Sequence, residues 1–217
     1  MDFGTMMGML LSGYRISIII FAVTLVGSIP LGMLVALGRL SKFKPLSLLM
    51  QLFISVLRGT PLMLQMFAVS FMPYYVFGLK TDANFPMIAV LISFVINYAA
   101  YFAEIYRSGI QSIPRGQYEA AEVLGYSSRQ TFQRIVLPQV VKRVLPAMGN
   151  EVVTLVKDTS LAFSLGVLEM FTQARAIVTS QRTMAAFAVA ALIYWVTCLI
   201  IEYVMRHIEK RLDYYHD

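Results

Sequence analysis

Asp158 stands with Lys157, Thr159 and Ser160 inside an apolar run covering about 140–168. A carboxylate there can hold an ammonium group. A second interruption, Arg58-Gly59-Thr60-Pro61-Leu62, falls inside the run 46–77. Gly59 permits irregular backbone, Thr60 can cap, and Pro61 can begin the next half-helix. That leaves a helix N-terminus with free N–H groups at membrane depth, an arrangement that binds carboxylates. The two breaks suit the two charged ends of an α-amino acid, with Gly59, Thr60, Pro61, Leu62, Asp158 and Thr159 as contacts. Asn97 is a candidate third contact. Glu151 lies seven residues before Asp158, two helical turns away on one face, and can meet a substrate side chain.

Each residue also has a plainer reading. The Arg58–Pro61 break can be a proline kink, and Asp158 can cap a helix or pair with Lys157. Asn97 can make an interhelical hydrogen bond, worth roughly 0.6 kcal/mol on average. Glu151 can pair near a helix end, and Glu104 with Arg107 reads as a structural ion pair. Catalytic motifs are missing from the sequence: there is no His-Glu-x-x-His, no Gly-x-Ser-x-Gly and no P-loop. The two histidines, His207 and His216, lie near the C-terminus, and the fourteen methionines read as packing rather than a metal path. No metal site, bound cofactor or ATP hydrolysis is expected of this chain.

The elements that must position these residues are membrane helices. The chain is 58% hydrophobic and 14% charged, with mean hydropathy +0.68. A soluble domain carries about 25% charged residues, so most of this exterior must face lipid. Spans are expected at about 14–38, 46–78, 85–107, 140–170 and 183–206, in one all-α integral membrane domain covering 1–217. The first apolar run is too long for a signal-peptide core of about 7–15 residues and is expected to remain as an anchor. No internal repeat is visible. The net charge of +6 reflects basic residues flanking apolar runs rather than nucleic-acid binding. Twelve of the 18 Lys and Arg fall between spans one and two, between or at the facing ends of spans three and four, or at and after the end of span five. That asymmetry predicts an outside N-terminus and a cytoplasmic C-terminus. Tyr74-Tyr75 with Phe77, and Tyr214-Tyr215, read as interfacial belts, and the single cysteine, Cys198, as packing.

The longest non-membrane stretch is 108–139, with the segment 112–138 at its centre. Pro114 suits a first helical turn, and Gly125 suits a C-terminal cap with φ > 0. A second short helix should start at Ser127 or Ser128 and end before Pro138. Ala120 and Ala121 keep one face small, so another surface can approach closely.

The spacing Glu119-Ala120-Ala121, Gly125, then Ile135-x-Leu137-Pro138 resembles the EAA loop of ABC importer permeases of type I. Nearly the whole chain is similar to the polar amino acid branch of that family. The similar segments include Arg58-Gly59-Thr60-Pro61-Leu62, Tyr101-x-Ala103-Glu104-Ile105-x-Arg107-Ser108-Gly109-Ile110, and Gly149-Asn150-Glu151 through Lys157-Asp158-Thr159-Ser160-Leu161. Ser17 departs slightly, since threonine is common there. The resemblance implies that 112–138 forms two coupling helices in a cleft of a separate ATPase, which binds ATP and Mg. Glu119 would be the ion-pairing residue and Gly125 the bend, with Ala120, Ala121, Ile135, Leu137 and Pro138 completing the docking set. It further implies a bacterial cytoplasmic (inner) membrane location. A second permease subunit, identical or closely related, two ATPase subunits and an extracellular or periplasmic amino-acid-binding protein would be the partners, beside membrane lipid and no nucleic acid.

The expected activity is therefore ATP-driven import of a polar L-amino acid by alternating access. An ion-coupled secondary transporter would show inverted repeats. An intramembrane hydrolase would need a nucleophile–base or metal constellation within the spans. A permease of this family for a non-amino-acid solute is the remaining alternative.

Overall fold

A computed structural model describes residues 1–212. The Tyr214-Tyr215 pair and His216 lie outside the described residues. The described chain is all helix: α1 (Phe3–Arg39), α2 (Lys44–Gly59), α3 (Leu62–Phe77), α4 (Phe85–Gln111), α5 (Arg115–Val123), α6 (Ser128–Thr131), α7 (Leu137–Asp158), α8 (Met170–Gln181) and α9 (Ala185–Leu212). A π-helical turn, Phe132–Val136, joins α6 to α7, and a 3₁₀ segment, Thr159–Leu165, extends α7. Three helices, α1, α4 and α9, are long and apolar enough to cross a membrane. Two more candidates are bent pairs: α2 with α3 turns by 108°, and the α6–α7 stretch with α8 turns by 59°.

Helix α1 begins well before the expected residue 14. The Asp2 carboxylate accepts the Gly4 N–H at 3.0 Å and caps the helix. The added turns carry Met6 and Leu10, which bury against Met170, Ala174, Ile177, Ala186 and Ala190 of α8 and α9. At 37 residues the helix is about 55 Å long, well beyond the roughly 30 Å hydrocarbon layer.

Lipid gives no hydrophobic drive for helix association, so close packing of small residues must hold the bundle. Helix α1 buries Gly13, Ser17, Thr24, Ser28 and Gly32 along its inner side. At Gly32 an added Cβ would fall 2.9 Å from the Ala99 carbonyl oxygen of α4. The main core then spreads from this seam through Phe94, Tyr98 and Phe102 of α4 to Met66 of α3 and Leu155 of α7. Helix α4 is the hub, packing on α1, α2, α3 and α7 and on the 3₁₀ segment.

Two local expectations are corrected. The second short helix does not end before Pro138; it runs on into α7 through the π-turn, where the Leu137 N–H bonds to the Phe132 carbonyl. Pro138 then follows the π-turn directly, as the second residue of α7. The Lys157–Ser160 stretch does not unwind; it tightens. The Thr159 hydroxyl donates to the Val156 carbonyl (2.7 Å) and the Ser160 hydroxyl to that of Lys157 (2.7 Å). The chain changes direction later, at Gly166–Glu169.

Candidate functional site

The break after α2 is a polar clasp. Thr60 is extended, and Pro61, rather than Thr60, is the N-cap of α3. The Thr60 hydroxyl turns back and donates to the Val56 carbonyl at 2.8 Å. Gln65, one turn into α3, donates from Nε2 to the carbonyls of Leu57 (2.9 Å) and Thr60 (3.1 Å) and to Thr60 Oγ1 (2.9 Å). From α4, Asn97 Nδ2 donates to the Leu57 carbonyl and to Gln65 Oε1, each at 3.0 Å. The interhelical role weighed for Asn97 is the one its geometry displays. Gln65, which is not among the expected contacts, bonds to both sides of the break.

One residue along α4, Tyr98 donates its hydroxyl to Asp158 Oδ2 at 2.7 Å, although the tyrosine is only 2% exposed. Asp158 is half-buried at the end of α7, and its carboxylate makes no capping bond to the 3₁₀ segment. Since α3 packs on that segment, the two interruptions are neighbours. Three residues further along α4, Tyr101 carries the Arg58 guanidinium 5.2 Å from its ring centroid, within cation–π reach.

Arg58 and Tyr101 open onto a cavity of about 370 Å³. Its wall also includes Glu104, Ser108, Ser112, Arg143 and Glu151, so both charge signs line it. Glu104 and Arg107 form the expected ion pair, bidentate through Oε1 and Oε2. Of the residues expected to touch substrate, Glu151 lines this cavity. Gly59, Thr60 and Pro61 are exposed but do not line it, whereas Leu62 is buried and Thr159, 1% exposed, bonds its own helix.

The 112–138 segment forms a knob at the end of the bundle where α4 stops and α7 starts. Gly125 has φ +77. The Tyr126 N–H returns to the Ala121 carbonyl (3.0 Å) and the Gly125 N–H to that of Glu122 (2.9 Å), the two bonds of a Schellman cap. Ser127 and Gln130 then form a reciprocal capping box that starts α6. Ala121 is 1% exposed, so it anchors α5 to its own chain instead of facing outward as expected. Glu119, Ala120 and Pro138 are exposed, and Ile135 and Leu137 are half-buried. Two residues not anticipated join the exposed face: Val123 (88%) and Leu124 (73%).

Glu169, also not among the expected residues, is wholly buried at the head of α8. Its carboxylate accepts the N–H groups of Phe171 and Thr172, both at 2.7 Å, and the Thr172 hydroxyl at 2.8 Å. Glu-x-x-Thr at a helix start is a weak capping signal, and only the turn at Gly166 makes it readable.

A lipid-facing helical bundle with a polar cavity between helices and an exposed knob at one end is the layout of a transporter's membrane component. Residues 28–214 match the family described as binding-protein-dependent transport system inner membrane component, and the chain belongs to that family. It is the non-catalytic permease component of an ABC importer, integral to the inner membrane. It is 36% identical over 187 residues to the L-cystine transport system permease protein TcyB of Bacillus subtilis (strain 168), covering 85% of this chain and 78% of that one. It is 32% identical to the putative glutamine transport system permease protein GlnP of Rickettsia bellii (strain RML369-C), covering 94% and 92%. Among solved structures, an amino acid ABC transporter crystallised with histidines superposes with TM-score 0.87 at 29% identity over 97% of this chain and 99% of that one. The MetNI methionine ABC transporter, at 15% identity over 98% and 99%, shares the fold with TM-score 0.76.

Proposed function

We propose that this chain forms the translocation path of an importer for a polar L-amino acid, with its N-terminus outside and the α5–α6 knob in the cytoplasm. The observation that carries the reading is the knob itself. An acidic residue, Glu119, and two bare apolar residues, Val123 and Leu124, stand out from a segment whose backbone is fixed by a Schellman cap and a capping box. Exposed apolar side chains beside a charge on a rigid turn fit a protein cleft better than a lipid surface.

Two ATPase subunits would bind ATP and Mg and grip these knobs. A second permease subunit, identical or related, would complete the path, and a binding protein would deliver cargo outside. ATP binding drives the cycle only if the closed ATPase pair grips the outward-open state more tightly than the inward-open one. The substrate-contact set is Gly59, Thr60, Pro61, Leu62, Asn97, Glu151, Asp158 and Thr159. The docking set is Glu119, Ala120, Ala121, Gly125, Ile135, Leu137 and Pro138, with Ala121 acting from within. The cargoes for which two relatives are named, cystine and glutamine, support an amino acid.

Reconstitution with the ATPase and binding protein in proteoliposomes, followed by hydrolysis assays across the amino acids, tests this. Stimulation by one or a few polar amino acids is expected. No stimulation by any, with a loaded ATPase present, would defeat the cargo assignment.

A further inference from the structure

The knob and the cavity share one wall. Helix α4 enters the knob at Ser112 and α7 leaves it at Leu137, and both helices line the cavity, through Tyr101 to Ser112 on one side and Arg143 to Glu151 on the other. Where they meet, Gly109 forms a notch. A Cβ built on it would lie 2.2 Å from Val144 Cγ1, with Val140 Cγ1 at 3.4 Å. Gly109, Val140 and Val144 are all buried. One turn beyond, Arg143 reaches across α4 and donates through Nη1 to the Ser112 carbonyl and to Ser112 Oγ. The Ser112 hydroxyl in turn donates to the Gly109 carbonyl at 2.7 Å. Gln139 Nε2 adds a contact from α7 to Gln117 of α5 at 3.4 Å.

We propose that the Gly109–Val144 notch, closed by Arg143 on Ser112, locks the ends of α4 and α7 into one rigid unit with the knob. Displacement of the knob thereby moves the cavity wall. Gly109, Val144 and Arg143 act as positioning residues in the cavity wall. The inference rests on the knob being the ATPase seat. A loop whose two exits were loosely packed would absorb a push by local rearrangement. Close packing with no space for a single added carbon transmits it instead, because packed interfaces have discrete arrangements.

The test uses a single thiol at Ala147→Cys, in the cavity wall, on a Cys198→Ala background in nanodiscs with the ATPase bound. The rate of reaction with a charged maleimide is measured without nucleotide and with ATP, Mg²⁺ and vanadate. Nucleotide should change the rate in the parent by about tenfold, and Gly109→Ala should shrink that change to about twofold while the ATPase still co-purifies. Gly109→Ala/Val144→Ala, which removes the clashing Cγ1, should restore it. A full nucleotide response in Gly109→Ala, or no recovery in the double variant, would overturn the proposal. If Gly109→Ala does not assemble, Arg143→Ala carries the test: a weakened response rescued by Arg143→Lys supports the lock, and a parental response overturns it. Failure of the ATPase to bind the parent chain would instead strike the docking reading, which co-purification reports separately.

Discussion

Gly13 of α1 lies flat against the backbone of Glu169, so near that a Cβ would fall 2.8 Å from the Glu169 carbonyl carbon and oxygen. The contact joins two positions 156 residues apart and sets the first helix against the turn that starts α8. Ser17, one turn on, donates to the Gly13 carbonyl and accepts the Met170 N–H, each at 3.4 Å. Gly13→Ala should therefore push α1 off that turn. Overpacking of this kind costs about 1–3 kcal/mol, and the expected result is a lower melting temperature in detergent. Ser17→Thr, which keeps the hydroxyl, should melt closer to the parent than Gly13→Ala does.

Glu169 has no solvent exposure and satisfies the first N–H groups of α8. Glu169→Ala strands those donors in an apolar setting, a loss of about 1–3 kcal/mol. Glu169→Gln retains one acceptor oxygen and should fall between the two. Thermal unfolding of the three proteins in one detergent ranks them; equal melting temperatures for Ala and Glu would exclude the capping role.

Gln65 ties both sides of the α2–α3 break and accepts from Asn97. Gln65→Leu preserves bulk and removes every bond. It should destabilise by about 1–2 kcal/mol and speed proteolysis at Gly59–Thr60. Retained protease resistance would show that Pro61 alone shapes the turn.

The sequence reveals elements whose determinants are local. Gly125 had to be left-handed because the helix before it needed a cap, and Ser127 with Gln130 formed a box three residues apart. The Glu104–Arg107 pair is one turn long. Elements whose partners are distant carry no such local signal. Pro138 looks like a stop because proline clashes with a preceding turn; the π-turn that accommodates it has no residue signature. Asp158 reads as an ammonium contact, a cap or a partner of Lys157, and only the fold brings Tyr98 to it. Gln65 is an ordinary polar residue until Leu57 of α2 and Asn97 of α4 meet it, and Glu169 gains Tyr194 of α9 (3.4 Å) only in the fold. Ala121 belongs to the docking motif by spacing, yet the rotation of α5 turns it inward while exposing Val123 and Leu124.

Gly125→Ala forces a non-glycine residue to φ +77, at about 1–2 kcal/mol. The bulk of the bundle should melt normally, since the strain is confined to an exposed knob. ATPase co-purification should drop, and Gly125→Asn, which tolerates that backbone better, should recover part of it.

In the proposed function the α5–α6 knob seats an ATPase through Glu119 and its apolar neighbours. Its most direct test is the affinity of the purified ATPase for the Glu119→Lys protein in nanodiscs. Binding should weaken by at least about tenfold, as expected when a charge pair in an interface becomes a repulsion, with the melting temperature unchanged because Glu119 is exposed. Parental affinity together with normal import by Glu119→Lys would contradict the assignment.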